Sequence, residues 1–126
     1  MTQELQRREA YLAEAQRLSH TGSFGWNVAT DEHFWSDETF RIFEFDPSSN
    51  VSLAMILDRV HPQDIASVNL AIAAANRAEG IDLECRLLMP SGAIKDVHVR
   101  AQALQDSSGN IELVGAVTDI LSLIHI

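Results

Sequence analysis

Cysteine is almost absent from the chain: Cys85 is the only one in 126 residues. No internal disulfide can form, so a reducing, cytoplasmic setting is expected and stability must come from a packed core. Basic residues are also scarce, nine Lys and Arg against eighteen Asp and Glu, for a net charge of -9 and a pI near 4.8. Such a surface repels phosphates and anionic headgroups, so neither nucleic acid nor a membrane surface is expected as a partner. No apolar run approaches the ~20 residues that a spanning helix needs. The opening "MTQELQRREAYLAEAQRL" is too charged for a signal peptide, and direct membrane insertion by this segment is not expected. Histidines are few and scattered: His20, His33, His61, His98 and His125 include no pair at i, i+4 and no flanking Cys/His cluster, so no metal site is expected. Aromatic residues make up only 6% of the chain, yet Phe34, Trp35, Phe40, Phe43 and Phe45 crowd into the fifteen residues "HFWSDETFRIFEFDP".

What is present is enough for one domain with one core, given 46% hydrophobic residues at this length. Residues 2–18 are strong helix formers, with Leu5, Leu12, Tyr11 and Leu18 on a narrow seven-residue stripe and Gly22 as the expected end signal. "SFGWNVA" alternates with Phe24, Trp26 and Val28 on one side, the strand period, and "HFWS" completes a hairpin. Ser36 predicts the cap of a short helix from Asp37 to Phe45, and Ser52 that of a second, ending at Val60. Pro62 suits the first position of the longest body helix, whose stripe is Ile65, Val68, Ile72 and Ala75 and whose expected stop is Gly80. The period then becomes two. Ile81, Leu83, Cys85 and Leu87 alternate with polar residues, "PSG" turns, Val97, Val99, Ala101 and Ala103 share a face of the next strand, and "IELVGAVTDI" is the last. This order carries no βαβ rhythm, which points to an α+β fold: an antiparallel sheet with helices on one face. The aromatic cluster then fills the junction of hairpin and helices.

The pieces "AQRLSHTGSFGWNVAT", "FWSDETFRIFEFDP", "VHPQD", "LECRLLMPSGAIKDVHV" and "GNIELVGAVTDI", in that order, resemble the PAS domain family, in the variety found in bacterial sensory-box histidine kinases. The resemblance implies a five-stranded antiparallel sheet in spatial order 2-1-5-4-3 with helices enclosing a pocket on its inner face. It divides the chain into a flanking helix over residues 1–20, a PAS-like sensor domain over 21–120 and a tail over 121–126. The tail "LSLIHI" departs from the charged linker usual in the family and reads as a cut linker or an added sequence. The family's terminal Asp-Ile-Thr stands here as Asp119-Ile120-Leu121.

The expected pocket wall is Phe24, Trp26, Phe40, Phe43, Leu57, Val68, Ile72, Leu87, Val99 and Val117, with Asn27, Arg59 and Asn69 as polar candidates; each is more often core or solvated surface than ligand contact. Leu5, Tyr11, Leu12, Leu18 and Asp119 are the dimer and signalling candidates. No obligate cofactor is expected. Family flavin photochemistry needs a helical Asn-Cys-Arg motif, whereas Cys85 falls on a strand, and the long helix lacks the histidine haem would want. No nucleophile elbow is present; Glu84 and Asp96 could face each other across a hairpin, amid Arg86, Lys95 and Arg100. The resulting expectation is a non-catalytic sensory module of a signal-transduction protein, homodimeric and serving a kinase or cyclase output, with its small-molecule ligand unnamed. The competing expectation is a small α+β enzyme with a carboxylate/His pair in an apolar cavity, which Asp96 or His98 inside a cavity would favour.

Overall fold

The computed structural model describes residues 2–120, with side chains from residue 5 onward; the tail over 121–126, with His125, lies outside the described residues. The elements run α1 (Thr2–Ser19), β1 (Thr21–Asn27), β2 (Glu32–Trp35), α2 (Asp37–Phe43), α3 (Leu53–Arg59), a 3₁₀ turn (Pro62–Asp64), α4 (Ile65–Asn76), β3 (Ile81–Leu88), β4 (Ile94–Gln105) and β5 (Ile111–Asp119). All strand pairs are antiparallel, and the sheet order is β2-β1-β5-β4-β3. First and last strands therefore meet at the centre, with Trp26 opposite Leu113 and Gly22 opposite Val117.

Period-two alternation sorts the strands into two faces. Cys85, Leu87, Val97, Leu113 and Val117 are buried on the inner face, while Phe34, Leu104 and Val114 stand exposed. Across β3 and β4 the outer face pairs unlike charges: Arg86 is opposite Asp96 and Arg100 opposite Asp82. The expected Glu84–Asp96 facing does not occur, because the register sets Glu84 against His98. His98 binds Asp82 at 2.6 Å.

Several element ends differ from expectation for one reason: non-glycine residues take the left-handed turn. His20 (φ 53) ends α1, so the Gly22 assignment is corrected. Gly22 is a β1 residue over which α2 passes, and a Cβ there would lie 2.1 Å from Thr39 Oγ1. Glu44 (φ 58) stops α2 two residues before Phe45, and Ala78 (φ 59) turns the chain before Gly80. Ser36 stands at the start of α2 but its side chain does not cap it; Oγ accepts from Ser23 N–H at 3.0 Å and ties the helix to β1. Ser52 does cap α3, accepting from Met55 N–H. His61 accepts from Gln63 N–H through Nδ1 and caps the 3₁₀ turn.

Asp64 closes this side of the fold. Its carboxylate accepts the Arg86 backbone N–H at 2.7 Å and two guanidinium bonds, fixing the start of α4 to β3. The Arg86 side chain and then its backbone N–H hold the Asp64 pKa down at about 2. Around the aromatic cluster Trp35 is central, 4.7 Å from Phe43 and 5.2 Å from Phe40 by ring centroids, while the Arg59 guanidinium covers Phe45 at 4.4 Å. Phe34 points the other way and is exposed, as strand alternation requires.

Candidate functional site

The inner face of the sheet and the helices do not close on each other completely. Between them lies an almost wholly apolar cavity of about 110 Å³, lined from every strand and from α2, α3 and α4. Of the expected wall residues, Phe24, Trp26, Phe43, Val68, Ile72, Leu87, Val99 and Val117 line it. Two of them do not: Phe40 packs on Trp35, and Leu57 on the core beside the cavity. Of the polar candidates, Asn69 is exposed on the solvent side of α4. The other polar candidates are occupied elsewhere: Asn27 accepts from Ala29 and Thr30 N–H in the hairpin turn, and Arg59 donates to the carbonyl of Phe43.

Among the polar side chains that line the cavity is His33, for which the sequence pointed only to a strand start. Its side chain is 3% exposed and stacks on Trp26, with centroids 5.8 Å apart and planes 12° from parallel. Nε2 lies 2.7 Å from Asp31 Oδ1. That carboxylate also accepts from Trp26 Nε1 at 3.0 Å and from Leu53 N–H at 3.2 Å, so one acid joins the hairpin, the cavity wall and the first turn of α3. Burial raises the Asp31 pKa, but the bonds from Leu53, His33 and Trp26 outweigh it and hold the group below the usual carboxylate range. Asp31 itself adopts φ 59, a conformation that Asp tolerates better than most residues. A signal for His33 existed in "DEHFW": His33 and Trp35 share one phase of a strand whose other phase carries Glu32 and Phe34.

Two other reactive side chains line the cavity. Burial pushes the Cys85 thiol up to about 11, with Asp64 adding to the effect, so it is held protonated at neutral pH. Thr39 Oγ1 donates to the carbonyl of Ser23 at 2.8 Å. Asp96 and His98 lie on the outer face, away from the cavity. Among the described residues no group of three His, Cys, Asp or Glu side chains is placed to hold a metal ion.

At the sheet end where β1 starts and β5 finishes, Asp119 is buried, and its backbone N–H donates to the carbonyl of His20 at 3.0 Å. This bond links the end of β5 to the end of α1. Leu5, Tyr11, Leu12 and Leu18 are 59–67% exposed along α1, whose last turns reach β1 through Gln16 and Ser23. No described helix is long and apolar enough to cross a membrane.

Comparison with known proteins agrees with this architecture. A family model described as the PAS fold matches residues 32–118. The chain belongs to the PAS fold family. Among solved structures, this PAS domain is similar to the N-terminal domain of a diguanylate cyclase with PAS/PAC sensor from Marinobacter aquaeolei, at 21% identity and a TM-score of 0.73, covering 84% of this chain and 99% of that one. It is also similar to a sensory box histidine kinase/response regulator from Burkholderia thailandensis, at 24% identity and a TM-score of 0.70, covering 90% and 87%. A PAS domain from Colwellia psychrerythraea aligns at 14% identity and a TM-score of 0.65, covering 94% and 98%. No curated protein matches the chain. These similarities establish the five-stranded antiparallel sheet in order 2-1-5-4-3 with helices on one face.

Proposed function

We propose that this PAS domain is a non-catalytic sensory and dimerisation module, in which a small apolar molecule in the cavity biases the arrangement of sheet and flanking helix. The observation that carries this reading is the cavity, because α2, α3, α4 and all five strands contribute to its wall. Anything that fills it favours the arrangement of those elements that it fits best, and differential affinity is all that a sensor requires. The bond from Asp119 to His20 gives the wall a route to α1. The exposed stripe of α1 and the Phe34, Leu104 and Val114 side chains of the outer sheet face are the surfaces offered to a second copy. The output, a histidine kinase or cyclase, is the role suggested by the proteins in which similar domains occur.

The His33–Asp31 contact is a carboxylate/His pair at an apolar cavity, the constellation that an enzyme reading would want. It lacks a partner to activate. Cys85 is held as the thiol and Thr39 spends its proton on a backbone carbonyl, which favours recognition over catalysis. Native mass spectrometry of the purified protein, with an absorption spectrum and solvent extraction, tests the sensory reading. The expected result is a colourless protein that retains, or takes up on incubation, a small apolar molecule at near one per chain. A stoichiometric flavin or haem band, or failure of every small apolar probe to bind, overturns it.

A further inference from the structure

Three helices wall the cavity, and they are not held equally. α2 buries Ile42 and Phe43 and is tied down by the Thr39 hydroxyl and by Lys95 Nζ, which donates to the Ile42 carbonyl at 2.9 Å. α4 buries Val68 and Ala75 and starts on the Asp64–Arg86 pair. α3 buries no residue, although its Leu53 and Ile56 line the cavity. Its two ends also differ. At the C-terminal end Arg59 donates to the carbonyl of Phe43 at 3.1 Å, Val60 is buried and bridges Leu87 of β3, and the His61 N–H donates to the Arg86 carbonyl at 2.9 Å. At the N-terminal end the Ser52 cap bonds only within the helix and moves with it, and Val51 before it is buried but belongs to neither core cluster. There Leu53 packs beside Trp26, and its N–H reaches across to the Asp31 carboxylate at 3.2 Å. That carboxylate is 42% exposed, so water can take over the bond when it breaks.

We propose that α3 is the door of the cavity, swinging outward at its Leu53 end about its Arg59–Val60 end, with the bond from the Leu53 N–H to Asp31 as its latch. This inference rests on the cavity being a ligand site, as argued above. A molecule enters a packed interior through a local opening, and the opening most populated is the one that exposes least apolar surface and breaks fewest bonds. Lifting α2 or α4 would expose fully buried core side chains. Lifting the start of α3 exposes Leu53 and Ile56, which are only partly buried, and hands the Leu53 N–H to water. A helix of seven residues is unstable alone in water, so its own amides lose protection once it leaves the sheet.

Leu53 is the first residue of α3, where proline is tolerated because the helix does not use that N–H, and Ser52 already has the extended backbone (φ -126, ψ 161) that a following proline requires. Leu53→Pro therefore removes the latch and leaves Asp31 on His33 and Trp26, while Leu53→Val trims the side chain and keeps the N–H. Native-state hydrogen exchange of the ligand-free 126-residue chain reads the door without any ligand. In the parent protein the Ile56 and Leu57 amides should exchange through an opening insensitive to low urea, while amides of β4 and β5 follow global unfolding. Leu53→Pro should speed the α3 amides about three- to tenfold over Leu53→Val, the worth of one solvent-accessible hydrogen bond. Benzene, which apolar cavities of the order of 110 Å³ take up, then reads entry by NMR exchange at the methyl groups of Val97, Leu113 and Val117. Its entry and exit rates should rise together in Leu53→Pro, leaving its affinity that of Leu53→Val, because the closed state still dominates. If α3 exchanges only with global unfolding in the parent protein, or equally fast in the two folded variants, the door falls and the cavity stands. The parent protein decides this even if Leu53→Pro does not fold. If benzene leaves the methyl signals unmoved, the ligand-site reading falls and takes the door with it.

Discussion

Trp26 carries three duties at once, and its substitution separates scaffold from site. It is 7% exposed, stacks on His33, donates to Asp31 and forms part of the cavity wall. Trp26→Ala should therefore cost ~3 to 5 kcal/mol of stability, the range for removing a large buried ring. Urea unfolding of the variant measures it. Stability unchanged within error, with ligand binding abolished, would make Trp26 a contact residue and not a structural one. His33 is the opposite kind of residue. A histidine gives no hydrophobic signal in a sequence, and its role is set by Asp31, which sits in the turn before it with a backbone conformation that local composition does not announce. That is why the aromatic wall was legible in the alternation of "SFGWNVA", while for His33 the strand phase gave the face and not the role.

At the scale of elements, strands were easier to read than helices. Two-residue alternation assigns a face to each strand residue directly, and Val97, Val99, Leu87 and Val117 all came out on the cavity side. The helices α2 and α3 have seven residues each, two turns, too few to show which flank of the apolar arc meets the sheet. Phe40 and Leu57 were misplaced for that reason. The helix ends differ from expectation because His20, Glu44 and Ala78 take left-handed turns, whereas Gly22 and Gly80 were the expected ends of α1 and α4 and Phe45 that of α2. Asp64 offers a test of how elements are joined, since its carboxylate ties the start of α4 to the backbone and side chain of Arg86 in β3. Its pKa is lowered from 3.8 to about 2 in the fold. A depressed folded pKa means that the native state favours the charged form, so this contribution is complete above pH ~4 and is lost as the pH falls towards 2. Asp64→Asn should be less stable than the parent at pH 7, and the difference should shrink steadily between pH 4 and 2. Urea unfolding across that range checks it; a pH-independent difference would assign Asp64 a role other than this ion pair.

For the whole molecule, the sheet order was legible only because the ordered motifs resemble a known family; alternation alone leaves open which strands are neighbours. The exposed stripe of α1 bears on assembly. Leu5, Tyr11, Leu12 and Leu18 form no part of the body's core, so removing residues 1–19 should leave a folded domain while weakening self-association. Sedimentation equilibrium on the two forms measures this. A dimer constant unchanged by the deletion would move the interface to the outer sheet face.

The pairing of β1 with β5 sets a timetable for making the protein. Thr21 and Thr118, whose hydroxyls meet at 3.2 Å, are separated by 97 positions in sequence. On a ribosome adding roughly 5–20 residues per second, Thr21 is synthesised about 5 to 20 s before Thr118. Throughout that interval one edge of β1 has no partner, and Phe24 and Trp26 lack the strand beside which they will pack. The nascent chain is thus most open to misassociation with its own copies on the same message, and the last strand to be translated is the one that closes the sheet.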